Sequence, residues 1–200
     1  SRSMGEGNKA SFARRLAAAL AFVAYRGQDR FAIYPFRDAL VATPAPRRGR
    51  VALSTAFQSL MELSAAGETD LSRSLAAWAE PGPEPGLCVL ISDFLCPDGY
   101  RDGLLALRHG RHAVAAVQVL SATDLDPPRW GEVRLRDVET HRGKSLVLGA
   151  GAARAYRAAL REWNEGLAAA CRELRMAYFL FRSDAAPVEA ALTVLAGWGR

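Results

Sequence analysis

In an open parallel sheet, function gathers where the strands end. The segment LCVLISD (Leu87–Asp93) is a continuous apolar run that stops abruptly in polar residues, the pattern of a strand buried on both faces. It delivers Asp93 to such an end, where the ordinary role of a carboxylate is to cap the next turn. Thr69, in GETDLSRSL, stands just before a helix, where Thr or Asp is a common N-cap. Ser1 and Ser3 open the chain in Ser-x-Ser spacing, run into Gly5 and Gly7, and taken alone make a polar start to a helix. Each of these signals is weak by itself.

Three other groups suggest different chemistry. GAGAARAY (Gly149–Tyr156) follows a strand-like stretch and opens a helix, as a dinucleotide-binding turn does, and Gly149, Ala150 and Gly151 would then approach a pyrophosphate. Against this, Arg154 stands where the third glycine or alanine belongs, and no acidic strand end follows about 20 residues on. His109 and His112 are close enough in sequence to share a metal, but Gly110 ends the helix between them and no third ligand is near, so both read as surface or turn histidines. His141 falls in the hairpin turn ETHRGK and reads as solvated. No GxxxxGK[ST] loop, GxSxG elbow or HExxH pair is present, which leaves hydrolase chemistry without a motif.

The elements that must position these residues alternate. Lys9–Arg26 has helical spacing, with Phe12, Leu16, Ala19, Leu20 and Val23 on one face and Gly27 after it. RFAIYPF (Arg30–Phe36) reads as a short strand, and DALVATP as its return before Pro44 and Pro46. Helical spacing resumes over Ala52–Ala66 and Leu71–Ala79, and PGPEPG connects to the buried strand. A helix over Asp98–His109 leads into the buried strand HAVAAVQVL. Trp130–Leu148 alternates as a hairpin, and a helix over Ala152–Leu174, the strand MAYFLF and a helix over Ala186–Leu195 complete the chain. Strands alternating with helices of this length predict βαβ units around a mostly parallel sheet.

Composition narrows the class. Two hundred residues make one domain with a substantial core. No apolar run approaches the roughly 18 residues of a membrane span, and no signal-peptide pattern is present. Cys88, Cys96 and Cys171 lie far apart, which is neither a disulfide framework nor a zinc spacing and suits a reducing cytoplasm. The net charge of +5 comes with 24 arginines among 26 basic residues, a bias that fits a GC-rich coding sequence better than a nucleic-acid surface. The densest basic cluster, Arg47–Arg50, sits in a Pro/Gly-rich loop without interleaved aromatics, so nucleic acid is not expected as a partner.

The stretches SRSMGEGNKASFARRLAAALAFVAYRGQDRFAIYPF, GETDLSRSL, VLISDF and GEVRLRDVETHRGKSLV together resemble the von Willebrand factor A fold, and within it the bacterial DUF58 family, over essentially all 200 residues. The resemblance implies a three-layer, doubly wound, mostly parallel sheet, and a metal-ion-dependent adhesion site of the form Asp-x-Ser-x-Ser with a loop Thr and a strand-end Asp. On this chain the implied metal ligands are Ser1, Ser3, Thr69 and Asp93. Hydroxyls and one carboxylate suit a hard ion such as Mg²⁺, with Mn²⁺ or Ca²⁺ as alternatives, and few protein charges leave that ion electrophilic toward a partner's carboxylate. The motif's first Asp would lie two residues before Ser1, at the end of a central strand flanked by RFAIYPF and LCVLISD. The expectation is therefore a single domain over 1–200, cut inside its own metal site, binding the ion weakly and filling the missing strand's place by strand exchange in a homodimer. The family resemblance also implies a non-catalytic protein–protein interaction domain, an adaptor or chaperone-like partner of a MoxR-type AAA+ ATPase. A nucleotide-binding enzyme using the Gly149–Gly151 turn is the competing class.

Overall fold

The structure is a computed structural model that describes residues 8–36, 45–63, 70–79, 84–96, 98–126, 132–136, 143–147 and 150–197, with backbone only for 132–136, 143–147 and 150. The described elements run α1 (Lys9–Arg26), α2 (Gly49–Glu62), α3 (Leu71–Ala79), β1 (Leu87–Ser92), α4 (Arg101–His109), β2 (Ala113–Leu120), α5 (Ala122–Leu125), β3 (Glu132–Arg136), β4 (Gly143–Val147), α6 (Ala150–Glu173), β5 (Ala177–Arg182) and α7 (Pro187–Gly197). Three strands form one parallel sheet in the order β1-β2-β5. Leu87 pairs with Ala113 through to Ser92 with Gln118, and Ala115 with Ala177 through to Leu120 with Arg182. All three strands therefore end at the same edge.

The alternation of side chains along a strand divides the core in two. Val114 and Ala116 of β2 join Leu71, Leu75, Leu90, Leu104, Leu107, Leu167 and Cys171, so α3, α4 and α6 cover one face. Ala115, Val117 and Val119 join Phe12, Leu16, Ala190, Ala191 and Val194, so α1 and α7 cover the other. This is the three-layer α/β arrangement expected. It also explains why HAVAAVQVL carries no polar alternation, since β2 has helices over both faces.

One expected strand is described in part. Within Arg30–Phe36, Phe31 and Phe36 each take part in bridge pairing, Phe31 antiparallel with Arg47 through N–H···O bonds at 3.0 and 3.1 Å. Side chains add to this: Tyr34 meets Trp78 edge-on at 5.6 Å between ring centroids, and Phe36 packs on the α3–α4 side of the core. The return segment 38–44 lies outside the described residues. The hairpin is present as antiparallel β3 and β4, in a two-stranded sheet of its own. The one-turn helix α5 has no counterpart in the sequence-based expectation.

Helices α3 and α4 pack closely because Gly103 stands at their contact. A Cβ added there would lie 2.9 Å from Leu75 Cδ1 and 3.0 Å from the Ser72 Cα. Alanine would gain about 1 kcal/mol of helix propensity at this position, but the backbone contact forces the helices apart. Gly103→Ala should destabilise the domain by about 1–3 kcal/mol net, as overpacked cores do, read as a lower chemical-denaturation midpoint. An unchanged or raised midpoint would show that α3 and α4 have room to spare.

Candidate functional site

The parallel sheet delivers Asp93, immediately after β1, to the edge where all three strands end, and buries it to 1 % exposure. Its turn is pinned on every side. Asp93 Oδ1 accepts from the Leu95 N–H at 3.2 Å, and Ser92 Oγ accepts from the Phe94 N–H at 3.1 Å. Phe94 is wholly buried in the left-handed region at φ 56°, a strained conformation for a side chain of this size. Its carbonyl accepts from Trp163 Nε1 at 3.0 Å, and the carbonyl of Asp93 accepts from Gln118 Nε2, also at 3.0 Å. Gln118, fully buried in β2, completes its own bonds with Asn164 at 3.0 Å and the Tyr178 hydroxyl at 2.5 Å. The turn-capping role expected of Asp93 is thus present, through its Oδ1.

The other oxygen faces a cation supplied by the chain. Lys9, the first residue of α1, has no exposed surface, and its Nζ lies 3.3 Å from Asp93 Oδ2 and 2.9 Å from Asp124 Oδ2. Lys9 lies on the same buried face of α1 as Phe12 and Leu16, which aims its ammonium at the sheet edge. Asp124 is brought there by α5, directly after β2, through a capping box: the Asp124 N–H bonds Ser121 Oγ at 3.1 Å and Ser121 N–H bonds Asp124 Oδ2 at 2.7 Å. Burial pushes the Asp124 carboxyl up, but hydrogen bonds from Lys9 and Ser121, with the Lys9 charge, outweigh this and hold it below the ordinary value.

Of the four expected metal ligands, Asp93 stands at the end of β1, while Ser1, Ser3 and Thr69 lie outside the described residues. Asp70, beside Thr69, accepts from the Arg73 N–H at 2.8 Å and caps α3. Among the described residues no group of three His, Cys, Asp or Glu is placed to hold a metal. Two carboxylate oxygens, Asp93 Oδ2 and Asp124 Oδ2, converge on one positive point at the strand-end edge, the Lys9 ammonium.

Lys9 and Asp124 were not anticipated, although the sequence carries a signal for each. The chain has two lysines against 24 arginines, and Lys9 falls on the apolar stripe at i, i+3 and i+7 with Phe12 and Leu16. Ser121-x-x-Asp124 has the spacing of a capping box.

The competing sites fare differently. β4, which precedes the Gly149–Gly151 turn, is antiparallel and belongs to the small sheet, so Ala150 does not open a helix from a parallel strand as a dinucleotide fold requires; Gly149 lies outside the described residues. His112 is not a surface histidine. It is buried against Trp78, 4.8 Å between ring centroids, its Nδ1 accepts from the Gly86 N–H at 3.3 Å, and burial lowers its pKa. His141 lies outside the described residues. Burial pushes the thiols of Cys96 and Cys171 up to about 11 and that of Cys88 to about 12, which keeps all three protonated and poor nucleophiles near neutrality.

Lys9→Ala would leave two carboxylates facing one another without their cation, and should cost about 3–5 kcal/mol of stability. Asp124 sets the acid side. Because its folded pKa is depressed, its contribution is complete above the unfolded value of about 3.9 and is lost as pH falls through the lower folded value. Thermal melts of wild type and Asp124→Asn should therefore differ at pH 7 and converge below about pH 4. A difference that persists into strong acid would mean that Asp124 acts through packing instead of charge.

Comparison with known proteins places this architecture. In solved structures, BatB from Bacteroides thetaiotaomicron, described as a conserved hypothetical protein, superposes at a TM-score of 0.60 with 13% identity, covering 100% of this chain and 94% of its own. An aerotolerance-related membrane protein from Bacteroides fragilis superposes at 0.58, also with 13% identity, over 96% of this chain and 88% of its own. These likenesses concern the fold. In sequence, the uncharacterized protein Rv1480 of Mycobacterium tuberculosis is 32% identical over 135 residues, 66% of this chain and 42% of its own. The uncharacterized protein MAV169 of Mycobacterium avium is 39% identical over 71 residues, 36% of this chain and 41% of its own. The chain thus spans about two fifths of the length of these curated relatives. The model of the protein family of unknown function DUF58 matches residues 2–165, and the chain belongs to that family.

Proposed function

We propose that the chain is a non-catalytic protein–protein interaction domain that receives an acidic side chain of its partner at the carboxyl edge of the parallel sheet. The observation that carries this reading is Asp93: a buried carboxylate at a strand end, its backbone fixed by Gln118 and Trp163, holding one oxygen toward a cation. In the fuller form, Ser1, Ser3, Thr69 and Asp93 hold a divalent ion, Mg²⁺ or one like it, and the ion supplies a positive point for the partner's carboxylate. The residues of this chain orient that point and exclude water beneath it; no proton or group transfer is involved. The partner is a MoxR-type AAA+ ATPase, with the chain as adaptor or chaperone-like companion, as the family resemblance implies. No helix among the described residues is long and apolar enough to cross a membrane.

Calorimetry of the full-length protein with such an ATPase tests both parts. Thr69→Ala is the informative variant, because it removes one of the implied hydroxyl ligands while Lys9, Asp93 and Asp124 keep their identities. Binding should be present in Mg²⁺, and should weaken at least tenfold in EDTA or on Thr69→Ala. Equal affinity with and without the ion removes the metal from this reading, and no binding under any condition removes the ATPase.

A further inference from the structure

Helix α1 crosses the domain from one sheet edge to the other. Its first residue, Lys9, meets Asp93 at the carboxyl edge. Its 18 residues rise by about 1.5 Å each, which carries Arg26 to the amino edge. The Arg30–Glu84 ion pair at 2.9 Å marks that edge, because Glu84 stands just before β1. Helix α2 packs on α1 and runs antiparallel to it. Arg14 Nη1, near the start of α1, bonds the Leu63 carbonyl just past the end of α2 at 3.4 Å. The Phe31–Arg47 bridge joins the segment after α1 to the segment before α2. The end of α1 and the start of α2 therefore lie together, away from the edge that carries Asp93.

That end is basic and apolar at once. Arg26, Arg47, Arg48 and Arg50 are exposed, and none has an ion pair among the described residues. With Asp29 and the Arg30–Glu84 pair included, the end stays positive. Beside these charges Phe22 is 49 % exposed and Val51 71 %. The arrangement is costly for the chain alone. A helix N-terminus favours negative charge, yet α2 has Arg48 at its cap and Arg50 in its first turn, no acidic residue there and no side-chain hydrogen bond at the cap. An external anion relieves the clustered charge, and exposed apolar side chains gain by leaving water. A nucleic-acid backbone meets the first demand only. The interface of an anionic bilayer meets both.

We propose that this amino edge, built from the end of α1 and the start of α2, docks on an anionic lipid surface, with the arginines at the headgroups and Phe22 and Val51 entering the interface. Each arginine held near such a surface strengthens attachment several-fold, and the attraction falls off within a screening length. Attachment is therefore reversible and weakened by salt. Because α1 runs from one edge to the other, a domain docked in this way turns its carboxyl edge, with Lys9 and Asp93, away from the bilayer.

A polarity-sensitive fluorophore on Val51→Cys of the full-length protein tests this at the surface itself. Cys88, Cys96 and Cys171 are poor nucleophiles, so the added thiol is the one that labels. Emission should shift to the blue, and be quenched by brominated lipid, on phosphatidylcholine vesicles with one-third phosphatidylglycerol, and stay unchanged on phosphatidylcholine alone. Combining Arg47→Gln, Arg48→Gln and Arg50→Gln should raise the lipid concentration required by roughly a hundredfold. The corresponding lysine variants keep the charge and should bind as wild type does. Phe22→Ser should weaken binding with the charge unchanged, and serves if the glutamine variant fails to fold. An equal signal on both vesicles, or no signal on either, overturns the proposal. So does a signal that the glutamine and serine variants leave intact. A shift produced by a DNA or RNA duplex and not by the vesicles also overturns it, and assigns the arginines to nucleic acid.

Discussion

A lysine ammonium with no exposed surface has to be neutralised, and that requirement organises the carboxyl edge of this sheet. Taking an ammonium from water into a protein interior costs several kcal/mol even after relaxation. Here two carboxylates offset it, Asp93 from the end of β1 and Asp124 from α5 after β2. Because β1 and β2 are adjacent and parallel, their ends lie side by side, and Lys9, which bridges Asp93 and Asp124 there, comes from the start of α1. The cluster therefore closes the layer formed by α1 over the sheet. It fixes where that helix begins, and the apolar stripe through Phe12 and Leu16 then follows at helical spacing.

The opposite layer fixes the same turn by hydrogen bonds. Gln118 is a polar residue in the centre of an otherwise apolar strand, an expensive position unless every donor and acceptor is used. It is: one amide N–H goes to the Asp93 carbonyl, the other to Asn164 of α6, and the amide oxygen accepts from Tyr178 of β5. Trp163, also on α6, holds the carbonyl of the left-handed Phe94. Strain of this kind persists only where the surroundings over-determine it. The charge of Asp93 is presented from one layer and its backbone is locked from the other, which is how a strand-end carboxylate becomes a rigid point of attachment.

The elements most legible in the sequence were those whose apolar period is unbroken: α1 and α3 match their expected bounds, and β1 and β2 follow from LCVLIS and AVAAVQVL. Asp93 was legible for the same reason, since a strand that ends abruptly advertises its end. In Arg30–Phe36 the aromatic residues serve packing as well as pairing: Phe31 and Phe36 are bridged, and Tyr34 and Phe36 also pack on the core. His112 was read as a surface or turn histidine, although its ring is buried beside Trp78. Lys9 was hidden by its type: a lysine at the start of a helix reads as solvated, and only contact with Asp93, 84 residues away, shows otherwise. Long-range charge pairing leaves no periodicity for a sequence reading to find.

This difference also bears on what structural likeness means for the chain. Apolar core positions tolerate exchange as long as volume and patterning are kept, which is consistent with a fold likeness at 13% identity. A buried ion pair is less forgiving, because removing one member leaves the others uncompensated. The fold of this domain is thus set by interchangeable parts, while its edge is set by particular ones. Shared function with any relative has to be judged at the positions of Lys9, Asp93, Asp124 and Gln118, where a single substitution changes the charge or the hydrogen bonds that the edge presents, and not by how well the rest of the sheet superposes.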